Sequence, residues 1–179
     1  MQATQKPPRV QHILGVTQTS ISLGSIFNAD LSKCALVGML HDRAKNLGRE
    51  ELLKLYNEGH ISLTEEDLEF PAIWHGPAAA WIAKTEYEID DPEILDAIEH
   101  HTLGHANPSE LLSILMCADY CEPTRTHDDK HHDLQKMRTL VRQDLKRGLA
   151  AVLRSKADYL ISQGKKPHSR IYETLETLE

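Results

Sequence analysis

A disulfide framework is beyond this chain. It carries only three cysteines, Cys34, Cys117 and Cys121, with no CxxC spacing, so the thiols read as core or near-core groups kept reduced. Aromatic residues are scarce, with two phenylalanines and two tryptophans, which leaves aliphatic packing to build the interior. A basic excess is missing too. The formal net charge is -7, and broad nucleic-acid binding normally needs a basic face. A small phosphate ligand is still compatible, because a local basic pocket would hold it. The opening MQATQKPPRVQHILG has no signal-type apolar run, and no stretch approaches transmembrane length. The expectation is a soluble, cytoplasmic protein with no membrane partner. Long alternating β-branched runs are also absent, which argues against a sheet.

What is abundant is histidine, with eleven among 179 residues, and the periodicity around these residues is helical. Pro7 and Pro8 open a helix to about Phe27, with Val10, Ile13, Leu14, Thr17 and Ile21 as its apolar stripe. Asp30 caps a second helix expected to reach about Asn46. A short helix follows around Glu50 to Tyr56, and residues 59–70 read as a polar loop with Glu65, Glu66 and Asp67 exposed. Pro77 is expected as the first residue of the next helix. Asp91-Pro92-Glu93 starts another that runs to His101. Ser109 caps a helix to Tyr120, one long helix is expected from Asp133 to Ile161, and a last one begins near Ser169. The fold class predicted is all-α: a single-domain helical bundle over 1–179, with a core at about 9–125 and C-terminal helices at about 128–179.

Several histidines and aspartates fall on apolar faces. His41 lies near Cys34 and Val37 in angle, and Asp42 follows Leu31, Ala35 and Gly38. Asp119 shares a face with Leu112 and Leu115, where a buried carboxylate needs a partner. His101 aligns with Ile94 and Ile98, while His100 turns away. His75 stands at a helix start, and His12 has a mixed face. A lone histidine of this kind is more often a satisfied core residue than a ligand. The ordered set of six makes coincidence the weaker explanation. Imidazoles with carboxylates suit divalent iron, manganese or cobalt better than calcium or magnesium, with zinc also compatible. Six donors exceed one tetrahedral site, which suggests two ions with Asp42 bridging them and a water trapped between.

The same order of motifs resembles the HD-domain superfamily of metal-dependent phosphohydrolases, and within it the YqeK-type symmetrical bis(5′-nucleosyl)-tetraphosphatases. The matching segments are RVQHILGV at 9–16, GMLHDRAK at 38–45, HGPAAAWIA at 75–83, AIEHHTLG at 97–104 and ADYCEPTR at 118–125. The resemblance implies an HD-type bundle and a dinuclear centre, iron foremost, ligated by His12, His41, Asp42, His75, His101 and Asp119. It implies cleavage of diadenosine tetraphosphate into two ADP, with Asp42 and Lys45 catalytic. Arg9, Lys45, Thr102, Gly104 and Arg125 would bind substrate, and Glu122 would hold the local geometry. The expected partner is this nucleotide, and a homodimer is compatible. Two departures stand out: Thr124 after Glu122-Pro123 where a glycine is common, and Pro108 where a methionine is usual. Competing expectations are a nucleotidase or deoxynucleotide phosphohydrolase, and a nucleotide-binding regulator without turnover.

His60, His105 and His168 are expected at the surface, as are His127, His131 and His132 at a solvated helix start. Core packing is the default for Trp74 and Trp81.

Overall fold

A computed structural model describes residues 7–125 and 133–178; His127, His131 and His132 lie outside them. The described residues are helical, with no strand. In chain order the α-helices are α1 Pro7–Phe27, α2 Leu31–Leu40, α3 Arg49–Glu58, α4 Glu65–Glu69, α5 His75–Glu86, α6 Pro92–His100, α7 Glu110–Cys121, α8 Leu134–Gln143, α9 Leu145–Ser162 and α10 Ser169–Leu178. A 3-10 turn spans Pro71–Ile73. No described helix is long and apolar enough to cross a membrane.

Polar caps set most helix starts. Asp30, Asp91 and Ser109 each accept from backbone N–H groups of the first turn of α2, α6 and α7, which would otherwise lack partners. The core is aliphatic, as the aromatic scarcity requires. Leu23, Val37, Ile98, Leu112, Leu115, Leu149 and Leu153 are all fully buried. Helix α7 is central: it packs against α1, α2, α6, α8 and α9, and its run Leu111–Ala118 is buried residue after residue.

Several expectations need correction. Helix α2 stops at Leu40, short of Asn46. There the Gly38 carbonyl accepts from the His41 ring at 2.9 Å, and the chain continues in i→i−3 turns, Arg43 to Leu40 at 2.9 Å and Lys45 to Asp42 at 3.0 Å. Helix α5 begins at His75, before Pro77, which is tolerated because first-turn N–H groups have no helical acceptor anyway. The single long helix expected over 133–161 is two. Asp144 sits in an extended conformation (φ −152°, ψ 105°) and caps α9 through the Arg147 N–H, so α9 folds back on α8. Finally, the segment taken as an exposed loop contains α4, closed by a Thr64–Asp67 capping box. Asp67 is buried there between His168, at 3.1 Å, and Arg170. His168 is buried with it, not at the surface. Trp74 is core, as expected, and donates its indole N–H to the Asp67 carbonyl at 2.8 Å.

Helices α1 and α2 cross at close range. A Cβ added at Gly38 would meet the Thr17 Cα at 2.7 Å, so the two backbones touch and neither can retreat without moving a helix. Gly38→Ala should therefore destabilise the protein by about 1–3 kcal/mol, the usual cost of overpacking. Urea unfolding of the variant checks this, and an unchanged midpoint would contradict the crossing.

Candidate metal centre

Five elements deliver the six residues singled out in the sequence. His12 comes from α1, and His41 and Asp42 from the turn after α2. His75 begins α5, His101 follows the last residue of α6, and Asp119 lies near the end of α7. All six come together. Five of them are nearly inaccessible, with Asp42 3% and His41 0% exposed, and Asp119 is partly exposed.

Three of the rings are held the same way. His41 Nδ1–H donates to Gly38 O at 2.9 Å, His75 Nδ1–H to Ala72 O at 2.8 Å, and His101 Nδ1–H to Ile98 O at 2.7 Å. Each partner is three residues back, so local geometry fixes the tautomer. Glu122 orients the fourth ring, its Oε1 lying 3.1 Å from His12 Nδ1. The proton is thus placed on Nδ1, and the Nε2 atoms face inward as bare acceptors. Ring orientation by an outer carbonyl or carboxylate is how metal-ligating histidines are prepared.

The inward atoms surround Asp42 on both sides. Its Oδ1 is 3.1 Å from His75 Nε2 and 3.8 Å from His101 Nε2. Its Oδ2 is 3.6 Å from both His12 Nε2 and His41 Nε2. Asp119 Oδ1 completes the second group, 3.2 Å from His12 Nε2. His75 Nε2 and His101 Nε2 face each other at 3.1 Å, an arrangement of two acceptors that needs a proton or cation between them. His12 Nε2 and His41 Nε2 are buried and have no hydrogen-bond partner, and such orphaned groups are costly in a native interior. Nitrogen and carboxylate donors of this number fit divalent transition ions. The clusters His12–His41–Asp42 and Asp42–His75–His101 could each hold one.

Charge balance follows from burial and proximity. Burial pushes the Asp42 carboxyl upward, but the imidazoles around it, His75 first, outweigh it and hold the group far below the carboxylate range. Asp119 is lowered in the same way, chiefly through His12. Burial drives His41, His75 and His101 below their ordinary value of 6.5. Within the cluster His12 alone is raised, because the neighbouring Asp119 and Glu122 carboxylates overcome burial. Sign follows directly for metal-stripped protein. The three lowered rings contribute stability that is complete above 6.5 and is lost as pH falls from there through their folded values. His12 acts oppositely, but it is one against three. In the presence of chelator, the urea midpoint should drop from about pH 7 to about pH 5.5. A flat or rising profile over that window would contradict the assignment of neutral buried rings.

The remaining residues of interest frame the cluster. Arg9 pairs with Asp42, and Arg125 with Asp119 at 2.8 Å. Both arginines line a cleft of about 310 Å³ that also touches His12, Asn46 and Glu122. Lys45, exposed overall, brings its ammonium within 3.3 Å of both His75 ring nitrogens. Thr102 Oγ1 lies 3.4 Å from His101 Nε2. Gly104 takes a positive φ of 75°, and a Cβ there would lie 2.8 Å from Thr174 Oγ1. Its position is thus explained by backbone shape and close approach to α10. Thr124, the departure noted after Pro123, donates its hydroxyl and its N–H to the Glu122 carboxylate, each at 2.6 Å.

Sequence reasoning missed Lys156. Its ammonium donates to Thr102 O at 3.3 Å, and burial lowers the group below its ordinary value against the opposing pull of Asp119. The signal was available: Lys156 follows Val152 and Leu153 by four and three residues, on the buried face of α9. Arg138 was missed as well. It clamps the turn after α7, donating to Cys121 O at 2.8 Å and Glu122 O at 2.9 Å.

Comparison with known proteins gives a consistent picture. The HD domain family model matches residues 9–124. A protein of Halalkalibacterium halodurans named bis(5′-nucleosyl)-tetraphosphatase, symmetrical, is 32% identical over 159 residues, covering 88% of this chain and 81% of that one. A protein of the same name from Staphylococcus aureus is 38% identical over 129 residues, 69% of this chain and 64% of that one. Among solved structures, one from Clostridium acetobutylicum superposes with a TM-score of 0.90 at 32% identity, over 99% of this chain and 90% of that one. It is described as a predicted HD superfamily hydrolase involved in NAD metabolism.

Proposed function

Because this chain belongs to the HD domain family, whose hydrolases bind divalent metals, we propose that it splits diadenosine tetraphosphate with water into two molecules of ADP. The observation that carries the site assignment is Asp42 itself, with two imidazole Nε2 atoms facing each of its carboxylate oxygens. One carboxylate served from both sides suits a bridge between two ions. His12, His41 and Asp119 would serve one, and His75 and His101 the other, with iron the first choice for this mixed donor set and manganese, cobalt or zinc as substitutes. Bound there, divalent ions acidify water and draw phosphate oxygens into register.

The chain's own residues supply binding and charge. In symmetrical cleavage a water oxygen joins one internal phosphorus. The oxygen linking the two central phosphorus atoms leaves with the other ADP, and the two protons of the water are released as both ADP products ionise. Charge builds on the oxygens of the attacked phosphate. Arg9 and Arg125 stand at the cleft with guanidinium groups able to contact two oxygens at once. Lys45 and Lys156 add two ammonium groups, near His75 and Thr102. Arg9 and Arg125 pair with Asp42 and Asp119, and an entering polyphosphate would compete for both. This local positive rim reconciles an acidic protein with an anionic substrate. Thr102 borders His101, and we assign it to positioning the substrate. We place the reaction in the cytoplasm, where the free thiols Cys34, Cys117 and Cys121 stay reduced.

Product analysis tests the reading. Metal-loaded protein incubated with diadenosine tetraphosphate should give two ADP per substrate consumed. ATP with AMP would contradict symmetrical cleavage. Phosphate from mononucleotides, with the dinucleotide untouched, would favour a nucleotidase, and binding without products would favour a regulator.

A further inference from the structure

Outside the buried cluster, one more group of ligand-type side chains converges, on the outer side of the α6–α7 connection. Asp96 and His100 lie one turn apart on α6, and His105 returns to them from the loop that follows Gly104. Asp96 Oδ1 is 3.1 Å from His100 Nδ1, and its Oδ2 is 3.1 Å from His105 Nε2. The two rings meet edge to face with centroids 4.8 Å apart. One donor atom from each of the three residues lies within 4.8 Å of the others. Glu99 adds a carboxylate oxygen 3.8 Å from His100 Nε2.

We propose that Asp96, His100 and His105 form a second metal site, separate from the buried cluster, that takes one divalent ion of the zinc type. The ring placement supports it. His105 Nδ1–H donates to Ala106 O at 2.8 Å, and its Nε2 faces Asp96 Oδ2 at 3.1 Å, so without an ion the ring satisfies both contacts by carrying a proton on each nitrogen. A divalent ion would take the place of the Nε2 proton against the carboxylate and keep the Ala106 contact as the outer bond that orients a metal-bound imidazole. Two histidines and one carboxylate are a common protein ligand set for zinc, with a remaining position left to water. The site is open to an arriving ion: the side chains of Asp96, His100 and His105 are 34%, 24% and 29% exposed.

The location gives the site a consequence. His101 and Thr102 sit on the inner side of the same turn whose outer side carries His100 and His105. An ion joining α6 to residue 105 clamps both ends of the segment that presents His101. It holds the turn without touching the reacting phosphate.

The test uses tag-free protein with its buried centre loaded, equilibrated with zinc and then analysed for zinc per chain. Wild type should take up one equivalent more than the His100→Gln/His105→Gln variant. In Asp42→Ala, where the buried centre is disabled, that same additional equivalent should persist, which separates this site from the proposed function. Zinc should also raise the melting temperature of Asp42→Ala, and His105→Asn introduced into that background should abolish the rise. His105 stands in a loop, so this single change keeps the assay readable if the double variant fails to fold. Equal zinc uptake by wild type and the double variant, or an unchanged zinc-induced rise after His105→Asn, would overturn the proposal.

Discussion

Asp42→Ala is expected to empty the buried metal centre and to lower hydrolysis of diadenosine tetraphosphate by at least about 10²–10³-fold, the scale on which single preorganised charge-stabilising groups act. Four imidazoles and Arg9 surround this carboxylate. Without it, cationic and donor groups face each other with no counter-charge, and neither half of the donor set is complete. The protein should still fold, because alanine fits the space and the rings keep their Nδ1 anchors on Gly38, Ala72 and Ile98. Metal content, steady-state kinetics and far-UV circular dichroism on one preparation check all three points. His100→Gln is the matched control. That ring lies outside the buried cluster, so the central metals and the rate should stay near wild type. Comparable losses in both variants would show that the centre has been misplaced.

Glu122→Ala should act through His12 rather than on substrate. Glu122 is fully buried, accepts from Thr124 twice at 2.6 Å, and orients His12 Nδ1 at 3.1 Å. Burial alone would raise this carboxyl, yet the bonds from Thr124 and His12 keep it lowered and ionised. Removing it frees the ring and leaves two Thr124 donors unpaired. Outer-shell losses of this kind cost about 10–100-fold in metal affinity. The expected signature is a higher metal concentration for half-maximal activity, with most of the rate recovered at saturation. A rate loss that excess metal leaves unchanged would show that Glu122 acts in the chemistry itself. Thr124→Val should shift metal affinity in the same direction, more weakly, because it removes only the hydroxyl bond.

Local signals carried much of this structure. The caps Asp30, Asp91 and Ser109 stand before α2, α6 and α7, and helical spacing distinguishes His101 from His100. Where the reading erred, a local pattern continued through a tertiary event. Apolar spacing runs on past Leu40, but the His41 ring donates to Gly38 O and the helix gives way to turns. Helical periodicity also bridges Asp144, because its role as a cap depends on α9 folding back across α8. Glu65-Glu66-Asp67 reads as a solvated run; Glu65 is exposed, but Glu66 is half-buried and accepts from the Ser169 N–H at 3.0 Å. Asp67 becomes a buried counter-ion only because His168 and Arg170 arrive from 101 and 103 residues away. The inward turn of His12, left open by its mixed face, is fixed by Glu122 from 110 residues further along. Long-range pairing of that kind has no spacing for a sequence to display.

The most direct test joins metal content to activity in one sample of anaerobically purified, tag-free protein. Carrying His100→Gln and His105→Gln, the sample counts only the buried cluster. The proposed function predicts two divalent ions per chain, iron foremost. Hydrolysis of diadenosine tetraphosphate should vanish on chelation and return when metal is restored. Undiminished hydrolysis by protein stripped of metal would contradict it.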